Sequence, residues 1–145
     1  MNKIKEVKSA TPGKPGQSPL AHGVGRRKKA VARVWLRRGS GKIVVNGREH
    51  LAYFDTEFSR LDVTSPFRAV PAALGYDVEA NVFGGGVNAQ ADAIALATAR
   101  ALVILDEAVR PLLRKFKLLT CDSRVKERKK YGQKAARRKF QFVKR

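Results

Sequence analysis

The chain has 145 residues, with 31 Lys and Arg against 12 Asp and Glu, a formal net charge of +19 and 43% hydrophobic residues. That length and apolar content support one domain with a compact core, while the charge excess opposes compaction unless a polyanion neutralises it. A membrane span is not expected, because the most apolar run, Ala89 to Leu105, is interrupted by Asp92 and Arg100 and falls short of the ~20 apolar residues such a helix needs. A lone Cys121 cannot form an internal disulfide, which fits a reducing compartment.

In chain order, residues 1–23 read as a disordered basic arm rich in Pro, Gly, Ser and Lys. They lack the apolar core of a secretory signal, and Pro12, Pro15 and Pro19 argue against an amphipathic transit helix. From Lys29 the pattern alternates. Ala30, Ala32, Val34 and Leu36 share one strand face, and Val31, Arg33, Trp35 and Arg37 share the other. Gly39-Ser40-Gly41 then reads as a short turn into a second strand, Lys42 to Val45, so the two strands are expected to pair as a hairpin. Asn46-Gly47 marks its end.

Glu49 to Phe58 and Pro66 to Leu74 read as short helices, the second with Ser65 as N-cap and Pro66 at its first position. Tyr76 to Phe83 alternates as a third strand, which Gly84-Gly85-Gly86 ends. The Ala-rich stretch from Asn88 to Leu105 predicts the central helix, and Glu107 to Leu119 a further one. The expected fold is α+β: a small mixed sheet with helices packed on one face over residues 24–119, followed by a long, extended basic tail over 120–145.

Four constellations bear on function. Arg26, Arg27, Lys28 and Lys29 form a run of cations that is costly to hold together without an anion; phosphate suits the guanidinium fork. The bland alternative is a solvated charge run. Arg33, Arg37, Arg38, Lys42 and Arg48 on the predicted strands and their ends favour nucleic acid instead. Gly84, Gly85 and Gly86 precede a helix. They are either a tight turn or a phosphate cradle at a helix N-terminus, and the two roles are compatible.

Catalysis finds no support: His22, His50 and Cys121 form no evident nucleophile–base pair, and neither cofactor nor metal is called for by one Cys and two His. Asp106, Glu107, Asp122 and Glu127 read as caps or salt-bridge partners. The tail spreads Arg124, Arg128, Lys129, Lys130, Lys134, Arg137, Arg138 and Lys139 along its length, with Tyr131, Phe140 and Phe142 able to stack on unpaired bases. Extended at ~3.3 Å per residue it would reach roughly 80 Å, against a compact radius of ~15 Å for such a domain.

The ordered set of motifs resembles the universal ribosomal protein nine family of the small subunit. It runs from Gly25-Arg26-Arg27-Lys28-Lys29-Ala30-Val31-Ala32-Arg33-Val34 through Gly39-Ser40-Gly41-Lys42-Ile43-Val44-Val45-Asn46-Gly47, Tyr53-Phe54, the Gly84 to Gly86 run with Gln90, and Arg100-Ala101-Leu102. It closes on Asp122-Ser123-Arg124-Val125, Glu127 to Gly132, Ala136-Arg137-Arg138 and Lys144-Arg145. The resemblance implies a domain like the second domain of ribosomal protein five, and a non-enzymatic, cytoplasmic, ribosome-bound chain. Its implied partners are RNA of the subunit head, neighbouring head proteins and, through Lys144 and Arg145, the peptidyl-site transfer RNA; no membrane is implied. The family commonly has glycine at the positions of Ala89 and Ala97 and near Lys117, arginine at Cys121, and serine at Val143. A general nucleic-acid-binding or chaperone protein would share the charge but not the motif order.

Overall fold

A computed structural model describes residues 18–142. Its order is β1 (Ala21–Arg27), β2 (Ala30–Arg38), β3 (Ile43–Val45), β4 (Arg48–Glu49), α1 (His50–Tyr53), α2 (Glu57–Ala69), a 3-10 turn at Pro71–Gly75, β5 (Tyr76–Phe83), α3 (Val87–Leu105), a second 3-10 turn at Glu107–Val109, and α4 (Arg110–Lys115). The α+β class and the mixed sheet agree with the sequence. Alternation along β2 is as expected, with Ala30, Ala32, Val34 and Leu36 fully buried beneath the helices. β5 has the predicted limits, and α3 begins one residue early, at Val87.

Strand pairing differs from the expectation. The sheet order is β1-β2-β5-β3-β4, so β2 and β3 are not a hairpin. β2 pairs antiparallel with β1 on one side and with β5 on the other, while the three-residue β3 lies parallel to the far edge of β5. The longer alternating strand satisfies more of the β2 backbone than β3 could. The loop between β2 and β3 is held by Asp77 of β5, whose carboxylate accepts from the amides of Ser40 (2.8 Å) and Lys42 (2.9 Å). Asn46-Gly47 does form a hairpin turn, from β3 to β4, with φ of 49° and 80°, the left-handed values a two-residue primed turn demands.

β1 occupies part of the stretch expected to be an arm, with Ala21, Gly23 and Gly25 facing inward. These glycines let α3 lie directly on the strand. A Cβ at Gly23 would fall 2.1 Å from the Ala97 carbonyl, and one at Gly25 2.0 Å from that of Ala93. Ala93, Ala97 and Ala101 recur every four residues on the facing stripe. By length and composition α3 could cross a membrane, but its apolar surface is the inner wall of this core.

The two short helices predicted between Glu49 and Leu74 are differently divided. Pro66 is interior to α2 rather than at its start. The carbonyl that its missing N–H would have engaged, that of Asp62, instead accepts from the Ser65 hydroxyl at 2.6 Å. Phe54, between α1 and α2, is fully buried.

Candidate nucleic-acid interface

At one end of the sheet four segments meet. Lys28 and Lys29 form the exposed two-residue turn between β1 and β2, with Lys28 at a φ of 53°. Gly84 and Gly85 pack against this turn: a Cβ on Gly84 would lie 2.4 Å from the Lys29 carbonyl, and one on Gly85 2.9 Å from Ala30. Both have positive φ, 73° and 65°, so glycine serves conformation and close approach together. The chain then enters α3, whose N-cap is Gly86 with no side-chain cap. Unsatisfied helix N–H groups and two lysines therefore share one corner, an arrangement suited to phosphate.

The glycine turn is fixed from below. Gln90 donates to the Gly84 carbonyl at 3.1 Å and accepts from Tyr53 Oη at 2.8 Å. The Asn46 side chain accepts from Val82 N and donates to Val82 O, both at 2.9 Å, continuing the β5 ladder where β3 has ended. Motif residues scattered along the sequence thus form one support.

The root of the tail joins the same corner through Arg27. Its guanidinium lies 3.3 Å from Asp92 of α3 and 2.9 Å from Asp122, and donates to the carbonyl of Arg124 at 2.8 Å. The Arg27 side chain is only 13% exposed, so its geometry is that of a bracket between strand, helix and tail rather than of a phosphate ligand. Cys121 Sγ donates to the Arg26 carbonyl at 2.9 Å. The Arg124 guanidinium, with Arg27 contributing, holds the Asp122 carboxyl well below the usual carboxylate range. In the sequence Arg27 stands among like neighbours; the signal that separates it is strand parity, which turns it to the helix side while Arg26 faces away.

Other predicted cations are elsewhere. Arg37, Arg38 and Lys42 are at the opposite end of the nine-residue β2, roughly 27 Å along the strand from the lysine turn. Arg37 is paired with Glu79 at 3.0 Å. Arg33 is exposed midway, on the uncovered face. In the tail, Arg128, Lys129, Lys134, Arg138 and Lys139 are exposed, and so are Tyr131, Phe140 and Phe142.

The tail is not extended throughout. Glu127, the one acidic residue after Asp122, gathers Lys130 (3.5 Å) and Arg137, and the Lys134 amide bonds the Arg138 carbonyl at 2.7 Å, so the chain reverses between these residues. The Arg137 hydrogen bond lowers the Glu127 pKa. Lys144 and Arg145 lie outside the described residues. The four carboxylates expected as caps or partners act so: Asp106 caps Ala108 N, Glu107 pairs with Arg110, and Asp122 and Glu127 bind arginines as above.

The profile of the ribosomal protein S9/S16 family matches residues 25–145. The chain belongs to that family. Its relatives include the small ribosomal subunit protein uS9 of Cytophaga hutchinsonii, 52% identical over 126 residues, spanning 87% of this chain and 98% of the relative. Those of Chlorobaculum parvum (51% over 122 residues, 84% and 95% of the two chains) and Treponema pallidum strain Nichols (52% over 126 residues, 87% and 98%) are similar. The S9/S16 family is one of structural ribosomal proteins, not enzymes. The family profile starts at Gly25, part-way through β1.

Proposed function

We propose that this chain is a structural component of the small ribosomal subunit, anchored in the RNA and proteins of the subunit head within the cytoplasmic ribosome. The observation that carries the reading is identity of about half over nearly the full length of relatives named as small-subunit proteins. A mixed sheet with helices on one face accords with the implied likeness to the second domain of ribosomal protein five. In this reading Lys28, Lys29 and Gly84 to Gly86 hold ribosomal RNA phosphates at the corner where α3 begins, with Arg26, Arg33, Arg38 and Lys42 as further contacts. Arg128, Lys129, Lys130, Tyr131, Lys134, Arg138 and Lys139 carry the tail through RNA, and Lys144 and Arg145 approach the peptidyl-site transfer RNA. Arg27, Arg37, Arg124 and Arg137, being paired with carboxylates, mainly set the path of the chain, and Lys130, held more loosely by Glu127 at 3.5 Å, serves both roles.

Two experiments test this. A tagged chain is expected to sediment with the small subunit through a moderate-salt gradient; sedimentation only as free protein refutes the assignment. Subunits assembled with a chain lacking Lys144 and Arg145 are expected to form normally but to bind peptidyl-site transfer RNA more weakly. Unchanged binding removes the transfer-RNA role while leaving the structural one.

A further inference from the structure

Among the described residues, one face of the sheet is covered by helices and the other is open. Across β1 and β2 the open face forms a shallow groove of about 520 Å³ lined by His22, Val24, Arg26, Val31, Arg33 and Trp35. Register makes these cross-strand pairs: His22 with Trp35, Val24 with Arg33, and Arg26 with Val31. At one end the imidazole and indole lie 5.2 Å apart, tilted by 40°. The valines form a half-buried apolar floor, and the two arginines are exposed beside it. On the adjoining strand Phe83, 59% exposed, stands next to Val31.

Charge on this face is sorted. Arg26 and Arg33 form no ion pair among the described residues, unlike Arg27, Arg37, Arg124 and Arg137. The acids of β5 on the same face are engaged: Glu79 beside Trp35 is paired with Arg37, and Asp77 is occupied by the amides of Ser40 and Lys42, while Glu49 shares the face only on β4, separated from β2 by β5 and β3. What is left open is an aromatic surface, an apolar floor and two cations. A nucleobase with its flanking phosphates carries the complementary features: a flat π face to stack and negative charge on either side.

We propose that this face docks a short single-stranded RNA segment, with an unpaired base stacked on the Trp35 indole beside His22 and its phosphates held by Arg26 and Arg33. The proposal rests on the reading of the chain as an RNA-binding ribosomal protein and adds a second, separate contact surface to the corner and tail.

Trp35 is the sole tryptophan, so its emission reports on the groove directly. The full chain is titrated with an unstructured oligouridylate of roughly ten nucleotides. Saturable quenching of Trp35 is expected. Replacing the exposed pair (Arg26→Ser with Arg33→Ser) is expected to weaken binding about tenfold and to lower the log–log salt slope by about 1.4, two phosphates at ~0.7 each on a single strand. Trp35→Phe should bind within a few fold of the parent, whereas Trp35→Ala should lose tenfold or more. Replacing Lys129, Lys130 and Lys134 by Gln should weaken affinity yet leave the quench at saturation intact. RNA binding with unchanged Trp35 emission and an unaffected double variant overturns the sheet-face site but not the RNA-binding reading. Failure of the full chain to bind RNA even at low salt overturns both. Quenching by polyglutamate but not by RNA overturns the proposal in favour of an acidic protein partner.

Discussion

Gly25→Ala isolates the contact on which the fold's core depends. The new methyl carbon would lie 2.0 Å from the Ala93 carbonyl oxygen and 2.7 Å from the Ala97 nitrogen, where real Cβ contacts essentially never come under 3.0 Å. Both obstacles are backbone, so no rotamer change relieves the clash, and α3 must retreat from β1 by about 1 Å. Overpacking of this kind costs about 3 kcal/mol at the upper end of its usual range. Replacing glycine in a strand returns about 0.5–1 kcal/mol by restricting the unfolded chain. The net loss of about 2 kcal/mol corresponds to a melting point lower by roughly 6–10 °C for a domain of this size. Thermal melts followed by circular dichroism at 222 nm measure it. Gly75→Ala is the control, since a Cβ there meets nothing within 4 Å and is expected to leave the melting point nearly unchanged. If Gly25→Ala melts within about 2 °C of the parent, the strand–helix contact is not what requires the glycine.

Four further outcomes follow from the same geometry. Arg27→Met keeps an apolar stem but loses the ties to Asp92, Asp122 and Arg124, so trypsin should cut after Arg124 and Lys126 about tenfold faster with little change in global melting; an unchanged rate refutes the bracket. Lys117 has a φ of 58°, and Lys117→Gly should relieve about 1 kcal/mol of left-handed strain and raise the melting point by a few degrees, whereas a lower one contradicts this. Asp62 has its pKa raised, chiefly by burial and then by Asp92, so the folded state holds its proton more tightly than the unfolded chain. Stability from this group is therefore lost as pH rises from the ordinary carboxylate value through the raised one, and Asp62→Asn should stabilise the chain at pH 7 but not at pH values below that range, as urea melts across pH would report. Gly86→Asp should cap α3, raising stability by a few tenths of a kcal/mol, while weakening RNA binding at the corner; equal RNA affinity would remove the helix start from the interface.

The legible parts of the fold were those with side-chain periodicity. β2, β5 and α3 carry apolar residues at spacings of two or along a helical stripe, and their limits are close to those read from the sequence. β1 was illegible for a definite reason: its inward positions Gly23 and Gly25 are glycines, which read as loop in a single segment. They make sense only beside Ala93, Ala97 and Ala101, some seventy residues away. The false hairpin has a similar origin. Local turn residues suggested that β2 and β3 pair, but the choice of partner was made by β5, and a carboxylate on β5 holds the intervening loop. Pro66 misled because its usual place is a helix start, and the hydroxyl that compensates for it inside α2 sits on the residue read as its cap.

The site was legible as chemistry but not as geometry. A sequence weighs all basic residues alike, whereas folding divides them by which carboxylates they meet. Asp92 and Asp122 take Arg27, Asp122 takes Arg124, Glu79 takes Arg37, and Glu127 takes Arg137 and Lys130. A guanidinium held in this way has already exchanged its counterion for a fixed carboxylate, so an arriving phosphate gains less from it than from Lys28, Lys29 or Arg33. The division has a structural logic. The acidic residues are few, and several tie positively charged segments that would otherwise repel: Asp122 draws the tail root onto β1, and Glu127 folds the tail's middle on itself. The same scarcity keeps the lysine turn, the open sheet face and much of the tail uncompensated, which is where a polyanion would find its strongest attraction.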